Sequence, residues 1–453
     1  MMNVFVRRAF STVWNAIAHP AFWLPIILVA AITVYFDGLR LDVRRIISDG
    51  WGYYLPLPAI FVYGDPHLAF LNRLDLASDV LHYRFSDGQW QGLHVHGVGY
   101  VDKYAFGTAV LQLPFFLIAL LISHFRYVSI NGFEAPFQLA CGISGAFYFG
   151  LGSFLIFRTC RLRYDVLPSA LALAIVILGS NILHYASTEG SFSHVYGYCL
   201  VAALMYLTVS HAESEEPPSL GAFVLFGALM GLAVVTRPTN AVYSLLFIVF
   251  AGRTPMRILL TRTVAALLAS AITASPQMMW WYVMTGQPIY YSYEGEGFNF
   301  ASPQLMNYMF SIRKGLFFWH PLYLLMILAL VAGLARRPLE SAVSLLIVIV
   351  AIYAGASWHD FSFGHSFGSR NSIELLPLLA VPFAGGIAII LGSRWRGVAA
   401  ATAVVLIAIN LVQFRGYSKS TIPHDQSTAA TYARFWALTL RIPAIERLVP
   451  STQ

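Results

Sequence analysis

Charge is what this sequence has least of. Of its 453 residues only 11% are Asp, Glu, Lys or Arg, where a soluble domain carries about a quarter. Lysine is the scarcest charge: Lys103, Lys314 and Lys419 are the only three. The three cysteines, Cys141, Cys160 and Cys199, have no metal-like spacing and two lie inside apolar runs, which argues against a disulfide framework. No long polar block is present that could fold as a separate large soluble domain. No glycine-rich phosphate loop occurs between the apolar runs, so no nucleotide site is read. The start is not a charged region followed by a short apolar core, so it does not read as a cleavable signal. Residues 1–19 read instead as an interfacial amphipathic helix with Arg7 and Arg8 among headgroups.

What is abundant is apolar surface. The chain is 58% hydrophobic, with a mean hydropathy of +0.66. Twelve apolar runs of roughly membrane-crossing length recur from Ala21–Phe36 to Val398–Phe414. The expected fold is therefore an all-α polytopic membrane protein, with residues 20–415 as its transmembrane domain and 416–453 as a short outer tail. The net charge of +7 sits largely in short arginine loops between the runs. It reads as topology rather than as affinity for nucleic acid. Arg158/Arg161/Arg163, Arg253/Arg257/Arg262, Arg336/Arg337 and Arg394/Arg396 share one side, the cytoplasm, when runs are counted from Val166 onward. The opposite side receives residues 38–107, 285–315, 357–372 and the tail. Two full crossings between the first outer loop and Arg158 would put those arginines outside. One early segment therefore fails to cross, or a crossing is missing. Thr108–Phe125, which contains Pro114, is the suspect, and the expected number of crossings is 11–13.

The outer segments mix glycine, aromatics and ionisable groups. The first carries "SDGWGYY" (Ser48–Tyr54), with Asp49 and Tyr53, and ends on "DKYAFG" (Asp102–Gly107), with Lys103. The second supplies Arg313 and Lys314, and the third Trp358, His359 and Arg370. Cations at a membrane rim suit a phosphate, as a point charge from lysine and as a fork from arginine. A carboxylate such as Asp49 can deprotonate an acceptor hydroxyl, although Asp is also a favoured helix cap. Gly50 and Gly52 leave room for the backbone to run close to a sugar. Arg237, in "TRPTN", is a charge near an outer helix end, which is costly without a partner. His94 and His96 point the same way only on a strand, and lack a third ligand for zinc.

The order of these features resembles the GT-C membrane glycosyltransferases, in particular the branch of protein O-mannosyltransferases and lipid A aminoarabinose transferases. That resemblance implies a GT-C-like helical bundle whose first outer loop carries short juxtamembrane helices. Asp49 then takes the place of the catalytic carboxylate, with Tyr53 as the aromatic that follows it. Lys103 takes that of the phosphate-side cation. Arg237, Arg313, Lys314, Arg370, Trp358 and His359 are assigned to substrate binding. The implied donor is a polyprenyl-phosphate sugar and the acceptor a glycan, lipid or protein, with membrane lipids around the chain and no nucleic acid. The implied home is a bacterial inner membrane, with the active site on its outer side. Gly50 stands where many members have a second acid. A metal site of paired acids is thus unsupported, no cofactor is assigned, and a divalent metal stays open. Two other readings compete. One is a flippase or transporter of lipid-linked sugars, which would place its ionisable groups near the bilayer midplane. The other is a polysaccharide polymerase or ligase acting through "WHDFSFGHSFGSR".

Overall fold

The computed structural model describes residues 17–38, 43–73, 83–126 and 130–441. All but the last three residues of the helix expected over 1–19 lie outside them. The chain forms a polytopic helical membrane protein. Eight of its described helices are long and apolar enough to cross a membrane, and four shorter apolar ones are Val166–Gly179, Leu220–Thr236, Pro238–Phe250 and Leu322–Gly333. Every apolar run seen in the sequence is helical. The chain divides into two compact units, Met1–Leu162 with Tyr185–Glu296, and Arg163–His184 with Gly297–Gln453.

The first unit begins with α1 (Pro20–Asp37), which has Pro at its first position and the His19 ring accepting from Ala21 N–H. That ring packs 5.5 Å and 5.1 Å from Phe154 and Phe157. The short helix α2 (Asp49–Tyr54), the antiparallel hairpin β1–β2 (Leu93–His96, Gly99–Asp102) and α3 (Gly107–Arg126) follow. Helix α4 (Ala135–Arg161) carries Phe154 and Phe157 at its far end. At its near end Gln138 Oε1 accepts from Arg45 and Ile46 N–H, at 2.8 Å and 2.9 Å, just beyond α1. Helices α1 and α4 are thus antiparallel, and Arg158 and Arg161 lie at the end of the unit where α1 begins.

Helix α3 bears on the counting problem. Tyr148 of α4 donates to Leu111 O at 3.0 Å, and the Phe116 and Phe137 rings lie 5.1 Å apart, so α3 runs antiparallel to the first half of α4. Just past α3 the chain is back among first-loop residues: Tyr54 donates to Gly132 O at 2.6 Å, and Tyr63 to Asn131 O at 3.3 Å. Residues 131 and 132, five and six beyond α3, thus lie against the first loop, although the length and hydropathy of α3 would suffice for a crossing. Pro114 does not break it.

The unit continues through α5 (Ser193–Glu213), α6 (Leu220–Thr236) and α7 (Met256–Thr285). Helices α6 and α7 touch backbone to backbone. A Cβ at Gly227 would lie 1.9 Å from Ala266 O, and one at Gly231 2.3 Å from Ser270 O. Only glycine four residues apart permits this approach, the close packing that small residues give membrane helices. Gly107, opening α3, lies equally close to the Val235–Thr236 backbone. That contact brings the first loop to the Arg237 end of α6.

In the second unit the helix from Val166 breaks at Ser180. The freed carbonyls of Leu178 and Ser180 accept from Asn410 Nδ2 at 2.7 Å and 2.9 Å, while Asn181 donates to Ser369 O at 3.0 Å. Broken backbone inside an apolar bundle needs such internal partners. At another point of this unit Arg163 forks Glu340 at 2.7 Å and 2.6 Å.

Candidate active site

Asp49 is the first residue of α2. The cap position belongs to Ser48, whose side chain makes no capping bond. The Asp49 carboxylate is engaged elsewhere: Tyr104 OH donates to its Oδ1 at 2.7 Å. Several contacts hold Tyr104 in place. Its N–H donates to Asp102 Oδ1 at 2.9 Å, and its ring lies 4.8 Å from that of Tyr53. A Cβ at Gly52 would sit 2.0 Å from this ring and one at Gly92 2.3 Å from it. Gly50 in turn faces Ser191 and Phe192. The space left by the two glycines of "DGWG" is therefore filled by protein side chains and not by a sugar, contrary to expectation. Burial, then the charge of Asp49 and the bond to it, hold the Tyr104 phenol well above the usual tyrosine range, so that it stays a donor.

Asp102 is fully buried, and among the described residues its Oδ2 has no hydrogen-bond partner. Burial pushes its carboxyl well above the usual range, against the opposing pull of Tyr104 N–H and Lys103. The neighbouring Lys103 pairs with Glu296 at 2.8 Å. Its ammonium lies 5.4 Å from the Tyr104 ring centre and 5.5 Å from that of Tyr293. Ser292 Oγ donates to Lys103 O at 2.8 Å, fastening the segment after α7 to the end of the first loop. Arg237 Nη1 lies 3.1 Å from His194 Nε2 and 3.3 Å from Ser193 Oγ. The Tyr293 phenol is raised by burial, then by Tyr53, Asp49 and Glu296, while Arg237 opposes them. Asp49, Tyr53 and Lys103 thus meet at Tyr104, and the close approach of Gly107 to the Val235–Thr236 backbone brings the Arg237 end of α6 to the same loop. His94 and His96 do lie on a strand. No group of three His, Cys, Asp or Glu that could hold a metal occurs among the described residues.

The other candidates lie in the second unit. Arg313 forks Asp425 at 2.9 Å and 3.1 Å and stands 3.8 Å from Asp360. Lys314 is buried, donates to Ser366 O and to His424 O, the latter at 2.8 Å, and lies over the Trp319 and Tyr417 rings. These two cations tie the tail to the segment before Leu316. Trp358 bridges Phe298 as an isolated strand pair, with His359 N–H on Gly297 O at 2.9 Å. Arg370 opens the 3₁₀ turn Arg370–Leu375. Tyr104, Tyr293 and Glu296 carry site contacts that sequence reasoning passed over. Tyr104 stood two residues from Asp102 and next to Lys103, but nothing local shows that a phenol reaches across to Asp49.

Two solved structures share this architecture. ArnT from Cupriavidus metallidurans in the apo state superposes with a TM-score of 0.50 at 14% identity, over 94% of this chain and 72% of that one. The chain has a fold similar to that of ArnT. The same enzyme bound to undecaprenyl phosphate superposes with a TM-score of 0.50 at 13% identity, over 95% of this chain and 73% of that one. No protein-family model and no curated protein sequence matches the chain. Shared fold at such low identity fixes the helical architecture, while the chemistry must be argued from the site.

Proposed function

We propose that this protein transfers a sugar from a polyprenyl-phosphate carrier to an acceptor at the outer face of a bacterial inner membrane, with Asp49 as general base. The observation that carries this reading is the meeting of Asp49 and Lys103 at Tyr104, in a loop that Gly107 packs against the Arg237 end of α6. It is supported by a fold shared with a protein solved with undecaprenyl phosphate. Asp49 takes the proton of the acceptor hydroxyl. The acceptor oxygen bonds to the anomeric carbon as the bond from that carbon to the phosphate oxygen breaks, inverting the centre. The electron pair leaves on the polyprenyl phosphate, whose charge Lys103 and Arg237 meet. In the protein without donor, Glu296 supplies the anion beside Lys103, and the donor phosphate takes its place. Arg313 and Lys314 act on this reading by holding the loop they sit in.

The test uses membranes of a deletion strain, which contain both the accumulated lipid-linked sugar and its acceptor. Purified protein added to them should consume the lipid-linked sugar. Asp49→Asn keeps the side chain's shape and should bind undecaprenyl phosphate normally, yet turn over about 10²–10⁴-fold more slowly. Near-parental turnover by this variant would overturn the assignment. Consumption of no sugar by the parent, with the sugar instead appearing on the other leaflet, would make it a flippase.

A further inference from the structure

Tyr104 is held by the fold on several sides, and the reaction described above has not used it. Its ring is wedged where neither Gly52 nor Gly92 has room for a Cβ, and Gly92 has φ +70°, a conformation that glycine adopts most readily. Its main chain is tied to a buried acid, and its hydroxyl ends 2.7 Å from Asp49 Oδ1. All of these contacts come from the protein and exist without substrate. We infer that Tyr104 is a positioning residue for Asp49, its phenol fixing the plane of the carboxylate and favouring the ionised form that acts as base. This rests on the reading of Asp49 as the base. A neutral donor hydrogen-bonded to a carboxylate stabilises the charged state, so its loss makes the carboxylate easier to protonate. A carboxylate free to rotate also presents its acceptor oxygen less often in line with the hydroxyl it must deprotonate.

The experiment measures consumption of the lipid-linked sugar by parent, Tyr104→Phe, Asp49→Asn and the double variant, from pH 4 to 9. Undecaprenyl phosphate affinity is measured in parallel. Tyr104→Phe keeps the ring in its slot. It should lower turnover about 10- to 100-fold, leave undecaprenyl phosphate affinity unchanged, and move the acid limb of the pH profile to higher pH. In the Asp49→Asn background the same change should cost nothing further. Gly52→Ala, which keeps the phenol but displaces the ring, should shift the acid limb in the same direction and serves if Tyr104→Phe does not fold. An unshifted acid limb with parental turnover, or an independent loss in the double variant, overturns the inference and leaves Asp49 as base. Full activity in Asp49→Asn overturns both.

Discussion

Asp102→Asn should make this protein more stable, and increasingly so as pH rises. The side chain is fully buried, its Oδ1 accepts Tyr104 N–H at 2.9 Å, and its Oδ2 has no partner among the described residues. Asparagine keeps the acceptor and cannot ionise. The parent carboxyl titrates well above its ordinary value in the folded state because burial outweighs Tyr104 N–H and Lys103. With the folded pKa raised, folding retains a proton that the unfolded chain gives up. The resulting penalty is absent below the ordinary carboxylate pKa and grows as pH rises above it, until the folded pKa is reached. Its slope is about 1.4 kcal/mol per pH unit. Near pH 4 the two proteins should differ little, since each then buries a neutral group with one unsatisfied polar atom. From there up to the folded pKa the variant's lead should widen with every step in pH. Thermal unfolding in nanodiscs at several pH values reads this directly, and the pH at which the gap stops widening reports the folded pKa. A gap that stays constant or narrows with rising pH would show that Asp102 is ionised in the fold, and the reasoning would fail.

Cysteine placed at Phe125, near the far end of α3, should react with an impermeant reagent from the same side as one at Val95 on the hairpin, both positions being about 80% exposed; reaction from opposite sides would make α3 a crossing helix. Asp425→Asn should remove a pair with Arg313 whose side chains are 20% and 31% exposed, at a cost of no more than about 1 kcal/mol. Burial raises the Asp425 carboxyl, but Arg313, Gln426 N–H and Lys314 together bring it below its ordinary value. The contribution is therefore present above that value and lost as pH falls through the lowered pKa, so parent and variant should converge in acid. A difference that stays constant or grows as pH falls through the acid range would refute this.

Where the sequence was legible, hydropathy and arginine placement were the signal. A bilayer demands about 20 apolar residues per crossing and backbone satisfied within helices, so each run had to be helical whatever its neighbours. The same logic exposed the odd number of crossings before Arg158 and pointed to Thr108–Phe125. The catalytic candidates were legible because ionisable groups are rare enough here that each one stands out. What composition could not supply was which of them meet. Asp49 and Tyr104 lie 55 residues apart, and Lys103 and Glu296 lie 193 apart. Their contacts depend on Gly52 and Gly92 leaving room for the Tyr104 ring and on Gly107 letting α3 meet the Val235–Thr236 backbone, which a linear reading sees only as missing side chains. For the same reason Arg313 and Lys314 read as free cations until the tail was folded against them. The apolar pattern alone determined that this chain is a helical membrane protein. Which charges are paired, which acid has its pKa raised and which phenol touches Asp49 were decided only by tertiary packing, because each depends on desolvation and on distances between residues remote in the chain.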